Sequence, residues 1–319
     1  LSEVDTTDGN LYFVQGFQQK RLDLAHIFPD VNWDEVDYTI ATINQRKGFQ
    51  YTIGTYALIA IVFFILTFLM TKERVHPPKH QKTTIKQDLK DLVSNKPWII
   101  VGVMSLFTLG QVCIRNGAIM YYFKYFVGNT GYAKYFMVVG TAFNLLGVLC
   151  TDWLVRIIGS KKRVYFITMV GNGIFLISFF FLNSGQLALM FIVQLLSGFL
   201  SGPQAPLVWA MYADTADYSE WKKGTRATGL FFSAATFAQK MGWTLGGALA
   251  GWLLAIFGFK ANVTQTAETI LGIKLLMSMI PALPSILAGV MVLFYKLDKD
   301  FMIKIENDLK QRRKQSESK

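Results

Sequence analysis

Long apolar segments alternate with short polar ones along most of the chain. A helix that crosses the hydrocarbon core of a bilayer needs about 20 residues at 1.5 Å per residue. Seven segments meet that length, namely residues 48–70, 98–126, 135–155, 164–182, 187–212, 227–259 and 269–295. The pattern predicts an all-α membrane protein with seven transmembrane helices.

The polar segments predict how the protein is organised. The expected parts are an acidic segment before the first helix (1–47), the first helix (48–71), a hydrophilic linker (72–97), a six-helix bundle (98–297) and a basic tail (298–319). Within the linker, apolar positions of residues 85–92 recur at helical spacing, which predicts a short helix on the membrane surface.

The basic residues predict the orientation of the chain. The 32 lysines and arginines exceed the 21 acidic residues and give a net charge of +11. When they are assigned to alternate sides of the seven helices, 22 fall on one side, seven on the other and three within helices. Since basic loops favour the cytoplasmic side, we expect residues 1–47 outside and the C-terminus in the cytoplasm. Because the basic residues cluster in the segments between helices, the orientation of the chain in the bilayer already explains the positive net charge. We therefore expect no nucleic-acid partner.

Side chains typical of catalysis or metal binding are scarce. Cys113 and Cys150 lie in apolar runs without the paired spacing of a metal site. The three histidines, His26, His76 and His80, all lie outside the predicted helices. No nucleophile or phosphate-loop motif is present. The sequence therefore predicts neither an enzyme nor a bound cofactor or metal.

The most informative polar residue is Lys240, which lies inside the sixth apolar run. It follows Arg226 by 14 residues and precedes Lys260 by 20, so it is predicted near the middle of the membrane. An ionisable group there is costly and typically functional, and it needs an anionic partner or a water-filled cavity. Thr236 and Gln239 extend the polar strip around Lys240, and all three are candidate substrate-binding or cation-binding residues.

Three acidic residues precede this helix at the predicted cytoplasmic surface. Asp214, Asp217 and Glu220 are spaced three residues apart, so they share one face of a helix. They are either solvated loop charges or gating residues that pair with basic groups of a neighbouring bundle and open or close the inner side.

A second polar cluster, Arg115 and Asn116, lies toward the outer third of the second apolar run. Arg115 either extends outward to the membrane surface or contributes to binding. Single amides inside a membrane more often connect helices than bind ligands. We expect this connecting role for Asn144, Asn172 and Gln194.

Small residues and prolines predict where helices pack and bend. Glycines spaced four apart let helices approach closely, and prolines remove a backbone donor and bend a helix. The glycine pairs are Gly198 with Gly202, Gly242 with Gly246 and Gly247 with Gly251, and the prolines are Pro203, Pro206, Pro281 and Pro284. The charged segment from Gly159 to Arg163 is predicted to be a turn that anchors the orientation.

Three features together resemble the glycoside-pentoside-hexuronide:cation symporter family, the melibiose-carrier relatives within the major facilitator superfamily. They are Ala213-Asp214-Thr215-Ala216-Asp217-Tyr218-Ser219-Glu220-Trp221-Lys222, the spacing Thr236-x-x-x-Lys240, and Asn116-Gly117 followed by Tyr121-Tyr122-Phe123-x-Tyr125. The similarity in the order of segments extends from about residue 48 to the end.

The resemblance implies a major-facilitator-type helical bundle. A complete family member has twelve helices in two bundles, and this chain would hold the last helix of the N-terminal bundle, the linker and the six-helix C-terminal bundle. The implied activity is secondary active transport, a symport of a sugar or glycoside with Na⁺ or H⁺ by alternating access. The implied location is a cell membrane, with the bacterial inner membrane expected.

The resemblance also implies roles for individual residues. Thr236 and Lys240 look like the family's residues near the cation and sugar sites, and Asp214 and Asp217 look like its inner gating carboxylates. The groups expected to orient sugar hydroxyls are Asn116, Tyr121 and Trp209.

The resemblance implies partners as well. Family members bind the coupling cation largely through acidic residues of the first bundle. The expected partners are therefore a sugar or glycoside, the cation, the bilayer and the N-terminal bundle missing from this sequence. Two alternatives remain, which are a related carrier of an anionic or lipid-like solute and a membrane scaffold that transports nothing.

Overall fold

The described chain is almost entirely helical. The computed structural model describes residues 4–5, 12–13, 45–71, 85–224, 228–261 and 263–317. The chain divides into two units, Leu1–His76 and Pro77–Lys319.

The first unit contains a short pair of strands and one long helix. Strands β1 (Val4–Asp5) and β2 (Tyr12–Phe13) pair antiparallel, with Val4 opposite Phe13. Helix α1 (Gln45–Met70) contains an uninterrupted apolar run at residues 57–66, which favours a helix that crosses a bilayer. Most of the predicted outer segment 1–47 lies outside the described residues, so its position stays a prediction.

The second unit contains eleven described helices. They are α2 (Ile85–Ser94), α3 (Lys96–Tyr121), α4 (Gly131–Leu149), α5 (Thr151–Ile158), α6 (Lys161–Phe181), α7 (Leu187–Ser201), α8 (Gln204–Lys223), α9 (Thr228–Ile256), α10 (Ala267–Met277), α11 (Met279–Met291) and α12 (Lys299–Glu317). A π-helical turn, Tyr122–Val127, continues α3, and a 3-10 turn, Val292–Phe294, continues α11. Each of the seven predicted membrane segments coincides with one or two helices, and the predicted linker helix coincides with α2.

Six helical segments are long and apolar enough to cross a membrane among the residues that the structure describes. They are Gln50–Met70, Lys96–Val127, Gly131–Leu149, Lys161–Phe181, Leu187–Lys223 and Ala267–Phe294. Helix α9, the seventh predicted crossing, has 29 residues but is not among them. Gln239 and Lys240 at its middle lower its mean hydropathy. The protein is an all-α, multi-pass membrane protein.

Two of the membrane segments break near prolines. One break separates α7 from α8 at Gly202 and Pro203. The other separates α10 from α11 at Ser278, whose backbone is not helical. Pro281 lies three residues after Ser278 and has no N–H for the preceding turn. The predicted bends are therefore present as interruptions of both helices.

Glycines allow the closest helix packing in the second unit. A Cβ atom at Gly242 would lie 2.6 Å from the Leu106 carbonyl oxygen, and one at Gly246 would lie 2.6 Å from the Gly110 carbonyl oxygen. These contacts join α3 to α9 and run in the same order along both helices, so the two helices are parallel. Gly251 has no such neighbour, so the predicted packing pair of Gly247 with Gly251 does not form a tight contact there.

Two apolar clusters form the interior of this unit. One includes Met104, Tyr165 and Tyr212, and the other includes Ile114, Phe136 and Phe179. Polar pairs connect helices between these clusters, as expected for the buried amides. Asn144 donates to the Ser201 hydroxyl at 2.8 Å, and the Ser197 hydroxyl donates to Asn172 at 2.7 Å.

Helix α12, within the predicted basic tail, is part of the bundle. Its Met302, Ile305 and Leu309 are buried in the same apolar cluster as Tyr212. Charged residues dominate the exposed face of α12, which explains why composition alone predicts a tail. Apolar positions at a spacing of three and four residues are the signal of its packed face.

Candidate functional site

A polar strip lies on the exposed face of α9. Thr236 and Lys240 are both exposed, and Gln239 is half-buried. Thr236 donates to the Phe232 carbonyl oxygen at 3.0 Å, and Thr244 donates to the Lys240 carbonyl oxygen at 3.0 Å. The Lys240 ammonium has no hydrogen-bond or salt-bridge partner among the residues that the structure describes.

The position of this strip along α9 follows from the helix geometry. From Thr228 to Lys240 the helix rises about 18 Å, at 1.5 Å per residue. The parallel helix α3 gives a similar distance from the end of the bundle. Gly242 lies against Leu106, and Leu106 is about 15 Å along α3 from Lys96. Lys240 therefore lies near the middle of α9, and its depth in the membrane stays a prediction.

An aromatic group adjoins the polar strip. Trp209 of α8 stacks on Phe232 of α9, with ring centroids 6.1 Å apart and planes 19° apart. Phe232 lies one turn before Thr236, so the exposed indole of Trp209 is on the side of α9 that carries Thr236 and Lys240. Trp209, Thr236 and Lys240, three of the predicted binding residues, thus lie along the same side of α9.

Asp214 lies in a charged pair at the end of the bundle where α8 finishes. Its Oδ2 is 2.6 Å from the Lys161 ammonium, and its side chain is only 13% exposed. The Tyr295 hydroxyl donates to the same oxygen at 3.4 Å. Asp214 is therefore not a solvated loop charge. Its partner belongs to the same bundle, whereas the gating interpretation expects a partner in a neighbouring bundle.

The Asp214 pair lines a cavity of about 280 Å³. Arg156 and Lys162 lie on one wall, and Lys299 and Glu306 of α12 lie on another. Lys162 also donates to the Tyr295 carbonyl oxygen at 3.0 Å. The segment from Gly159 to Arg163, predicted to be only a turn, therefore connects α6 to α8 and to the end of α11.

Asp217 and Glu220 are half-buried on the same helix as Asp214. Their neighbours Tyr218 and Trp221 pack on Phe301 of α12. The Trp221 indole N–H donates to Asp308 at 2.8 Å, and Arg312 donates to the Trp221 carbonyl oxygen at 2.9 Å. The acidic helix α8 is thus held by α12.

Arg115 turns into the bundle. Its guanidinium donates to the Gln194 carbonyl oxygen, Oε1, at 2.5 Å. Its central carbon lies 5.2 Å from the Phe179 ring centroid and 5.9 Å from that of Phe136, within the range of cation–π attraction. Its buried Nε has no hydrogen-bond partner among the residues that the structure describes. The outward-extending interpretation is therefore wrong for this structure.

The other predicted binding residues lie apart from Lys240. Asn116 is exposed, next to Gly117, which faces Ala250. Ala250 is ten residues after Lys240, or about 15 Å along α9. Tyr121 packs edge-on against Phe259, with ring centroids 4.9 Å apart. Asn116 and Tyr121 therefore belong to the opposite half of the membrane span from Thr236 and Trp209.

No group of three or more histidine, cysteine or acidic side chains in the described ranges could hold a metal ion.

Sequence reasoning missed Lys161 and Asn95. Lys161 is one of three consecutive basic residues, and such a run indicates the orientation of the chain in the membrane rather than a functional site. Asn95 accepts from the Trp98 backbone N–H at 3.1 Å and donates to the Thr215 carbonyl oxygen at 3.0 Å. A serine, threonine, asparagine or aspartate just before a proline-initiated helix is a cap signal, and Asn95-Lys96-Pro97 has that form. Its long-range contact to α8 has no sequence signal.

Comparison with known proteins gives a consistent group of relatives. Residues 25–299 match the family described as MFS/sugar transport protein. The inner membrane symporter YicJ of Escherichia coli (strain K12) is 32% identical over 257 residues, which are 79% of this chain and 55% of YicJ. The isoprimeverose transporter of Lactiplantibacillus pentosus is 34% identical over 248 residues, 76% of this chain and 51% of that protein.

A third relative is the putative glycoside/cation symporter YagG of Escherichia coli (strain K12). It is 29% identical over 257 residues, which are 80% of this chain and 55% of YagG. The chain spans about half the length of the curated relatives it matches.

Proposed function

Because the chain belongs to the MFS/sugar transport protein family, we propose that it is part of a secondary active transporter. The cargo is a sugar or glycoside, carried together with Na⁺ or H⁺ by alternating access. The relatives, an inner membrane symporter, an isoprimeverose transporter and a putative glycoside/cation symporter, support this proposal.

The observation that carries the proposal is the exposed Lys240 near the middle of α9, which has no partner among the described residues. A lysine facing lipid at the centre of a helix costs roughly 2.5–3.5 kcal/mol on insertion scales. The exposed face of α9 is therefore better explained as the wall of a polar compartment. Thr236 and Trp209 on the same side supply a hydroxyl and an aromatic face, the groups that orient sugars.

In this proposal, an N-terminal bundle that is not in this sequence forms the other wall of the compartment. That bundle would also supply the carboxylates that bind the coupling cation. Neutralising those carboxylates would favour closure around the sugar, so each ligand would tighten binding of the other. The proposed location is a bacterial inner membrane, with residues 1–47 outside and the C-terminus in the cytoplasm.

The proposal is tested on the intact protein with Lys240→Ala. We expect cation-driven uptake of a labelled glycoside to fall at least tenfold, because the fixed charge beside the solute is lost. Lys260→Ala, an exposed lysine at the end of the same helix region, is the matched control and should transport normally. Full coupled uptake by Lys240→Ala would remove this residue from the mechanism.

Arg115 favours a second candidate, a carrier of an anionic solute. Its guanidinium has no carboxylate partner among the described residues, and one of its buried nitrogens is unpaired. A solute carboxylate would supply the missing negative charge. The two candidates are separated by measuring how well the corresponding uronide competes with uptake of a labelled glycoside. Only the anion carrier predicts that the uronide competes better than the neutral glycoside. It also predicts that this advantage of the uronide disappears in Arg115→Gln.

A further inference from the structure

A second cavity of about 280 Å³ lies where α2, α3 and α8 meet. It is lined by Lys96 at the start of α3 and by Lys222 and Lys223 at the end of α8. The helical segment that contains α3 begins at Lys96, and the one that contains α7 and α8 ends at Lys223. Both segments therefore end at this cavity, on the side of the bundle that the basic residues predict to be cytoplasmic.

The charge of this cavity is positive. No acidic side chain lines it in the part of the chain that the structure describes. The nearby Asp91 carboxylate is already neutralised by Lys223, whose ammonium is 2.7 Å away. Lys96 has no hydrogen-bond or salt-bridge partner among the described residues, and Lys222 contacts only the Tyr218 hydroxyl, at 3.3 Å, and the face of its ring. Lys96 and Lys222 thus have no ion-pair partner in the described part of the chain.

The cavity also offers hydrogen-bond donors. Ser219 lines it and is only 5% exposed, yet its hydroxyl has no partner among the described residues. The hydroxyl is therefore available to donate a hydrogen bond to a group bound in the cavity. The N-terminus of α3 lies at the same cavity, and the positive end of a helix dipole favours an anion.

We propose that this cavity binds a phosphate group, with Lys96 and Lys222 as its charged contacts and Ser219 as a hydrogen-bond donor. The group comes either from the headgroup of an anionic lipid or from a soluble phosphate. Ser219 lies between Asp217 and Glu220 on α8, and Ser94 of α2 lines the same cavity. The bound phosphate therefore joins the linker helix to the acidic segment of α8.

The test measures binding to the purified intact protein in neutral detergent by titration calorimetry. One arm uses short-chain phosphatidylglycerol, with phosphatidylcholine as the zwitterionic comparison, and the other arm uses inorganic phosphate. The double variant Lys96→Gln/Lys222→Gln should weaken binding roughly 10- to 30-fold, from about 1 kcal/mol per lysine near an anionic group. The matched control is Lys304→Gln/Lys310→Gln, two exposed lysines of α12 outside the cavity.

The arms distinguish the source of the phosphate. Tight phosphatidylglycerol binding that only the cavity variant weakens identifies a lipid, and the same result with inorganic phosphate identifies a soluble ligand. Equal binding by both double variants, or no binding of either probe, overturns the proposal. Ser219→Ala, which keeps the helix and the charge, should weaken binding severalfold and serves if the double variant is unstable. Transport is not measured, so the result is independent of the proposed function.

Discussion

Charged residues inside the apolar segments of this protein differ in their surroundings. Arg115 is enclosed by two phenylalanine rings and Gln194, whereas Lys240, in the other half of the bundle, is exposed. Both positions are predictable from the sequence as ionisable residues inside apolar runs. Their surroundings are not, because the partners of Arg115 come from three other helices. The sequence thus indicates where a charge lies along a helix, and only the fold indicates which way it points.

The Asp214 carboxylate and the Lys161 ammonium should act as a unit in transport. Asp214→Asn removes one charge of a pair that is 2.6 Å apart and mostly buried, so we expect the transport rate to fall at least fivefold with little change in substrate affinity. Lys161→Met should have the same effect. The double variant should be no slower than either single variant, since residues in one pair are not additive.

Uptake rate and equilibrium binding of the same labelled glycoside are the two measurements. Asp217→Asn provides the comparison on the same helix face. An equal loss of rate and affinity in Asp214→Asn would argue against a gating role and for a role in binding.

At the scale of helices, packing depends on positions that leave no room for a side chain. The pair of α3 and α9 is predictable in part, since Gly242 and Gly246 form a small-residue pattern. The same pattern at Gly247 and Gly251 does not form a tight contact. Four-residue spacing repeats on more than one face of a helix, so the pattern alone cannot choose the buried face.

Gly246→Ala should destabilise the bundle, while Gly251→Ala should not. A Cβ atom at Gly246 would lie 2.6 Å from the Gly110 carbonyl oxygen and 3.0 Å from Cys113, but one at Gly251 meets nothing within 4 Å. Overpacking typically costs about 1–3 kcal/mol. The gain in helix propensity is common to both changes, so the difference in melting temperature in detergent reports packing. Equal melting temperatures would contradict the close approach.

Helix α12 is predicted to stabilise the protein as a packed element. Ile305→Ala removes a fully buried side chain, which typically costs about 2–5 kcal/mol. Ile303→Ala, at a position 47% exposed on the same helix, should change stability by about 0.5 kcal/mol or less. Thermal unfolding of the two variants is the measurement. Identical unfolding would mean that α12 is undocked in solution.

At the scale of the whole molecule, the alternation of apolar and polar segments is the strongest sequence signal. It predicts a helix at each of the seven segments, because a bilayer imposes a fixed length on each crossing. Among the described residues, six helical segments are long and apolar enough to cross a membrane. The interruptions near Pro203 and Pro281 are predictable from the missing backbone donors. The π-helical turn at Tyr122–Val127 and the docking of α12 are not, since both depend on contacts between distant parts of the chain.

The orientation of the chain is testable with single cysteines. In a background with Cys113→Ala and Cys150→Ala, Gly185→Cys lies in the loop between α6 and α7, and Lys310→Cys lies on α12. Seven crossings with an outside start place the first outside and the second in the cytoplasm. A membrane-impermeant maleimide added to intact cells should label Gly185→Cys alone. Labelling of Lys310→Cys instead would reverse the orientation.

The two side-chain hydrogen bonds of Asn95 hold the start of α3 and the helix α8 at a fixed position relative to each other. One side chain holds both the first turn of α3 and a carbonyl group in the middle of the acidic segment of α8. A slide of α8 by one residue, about 1.5 Å along its axis, would stretch or break this link and leave a buried amide without its acceptor. Any rearrangement of α8 must therefore either carry the start of α3 with it as a rigid body or release it.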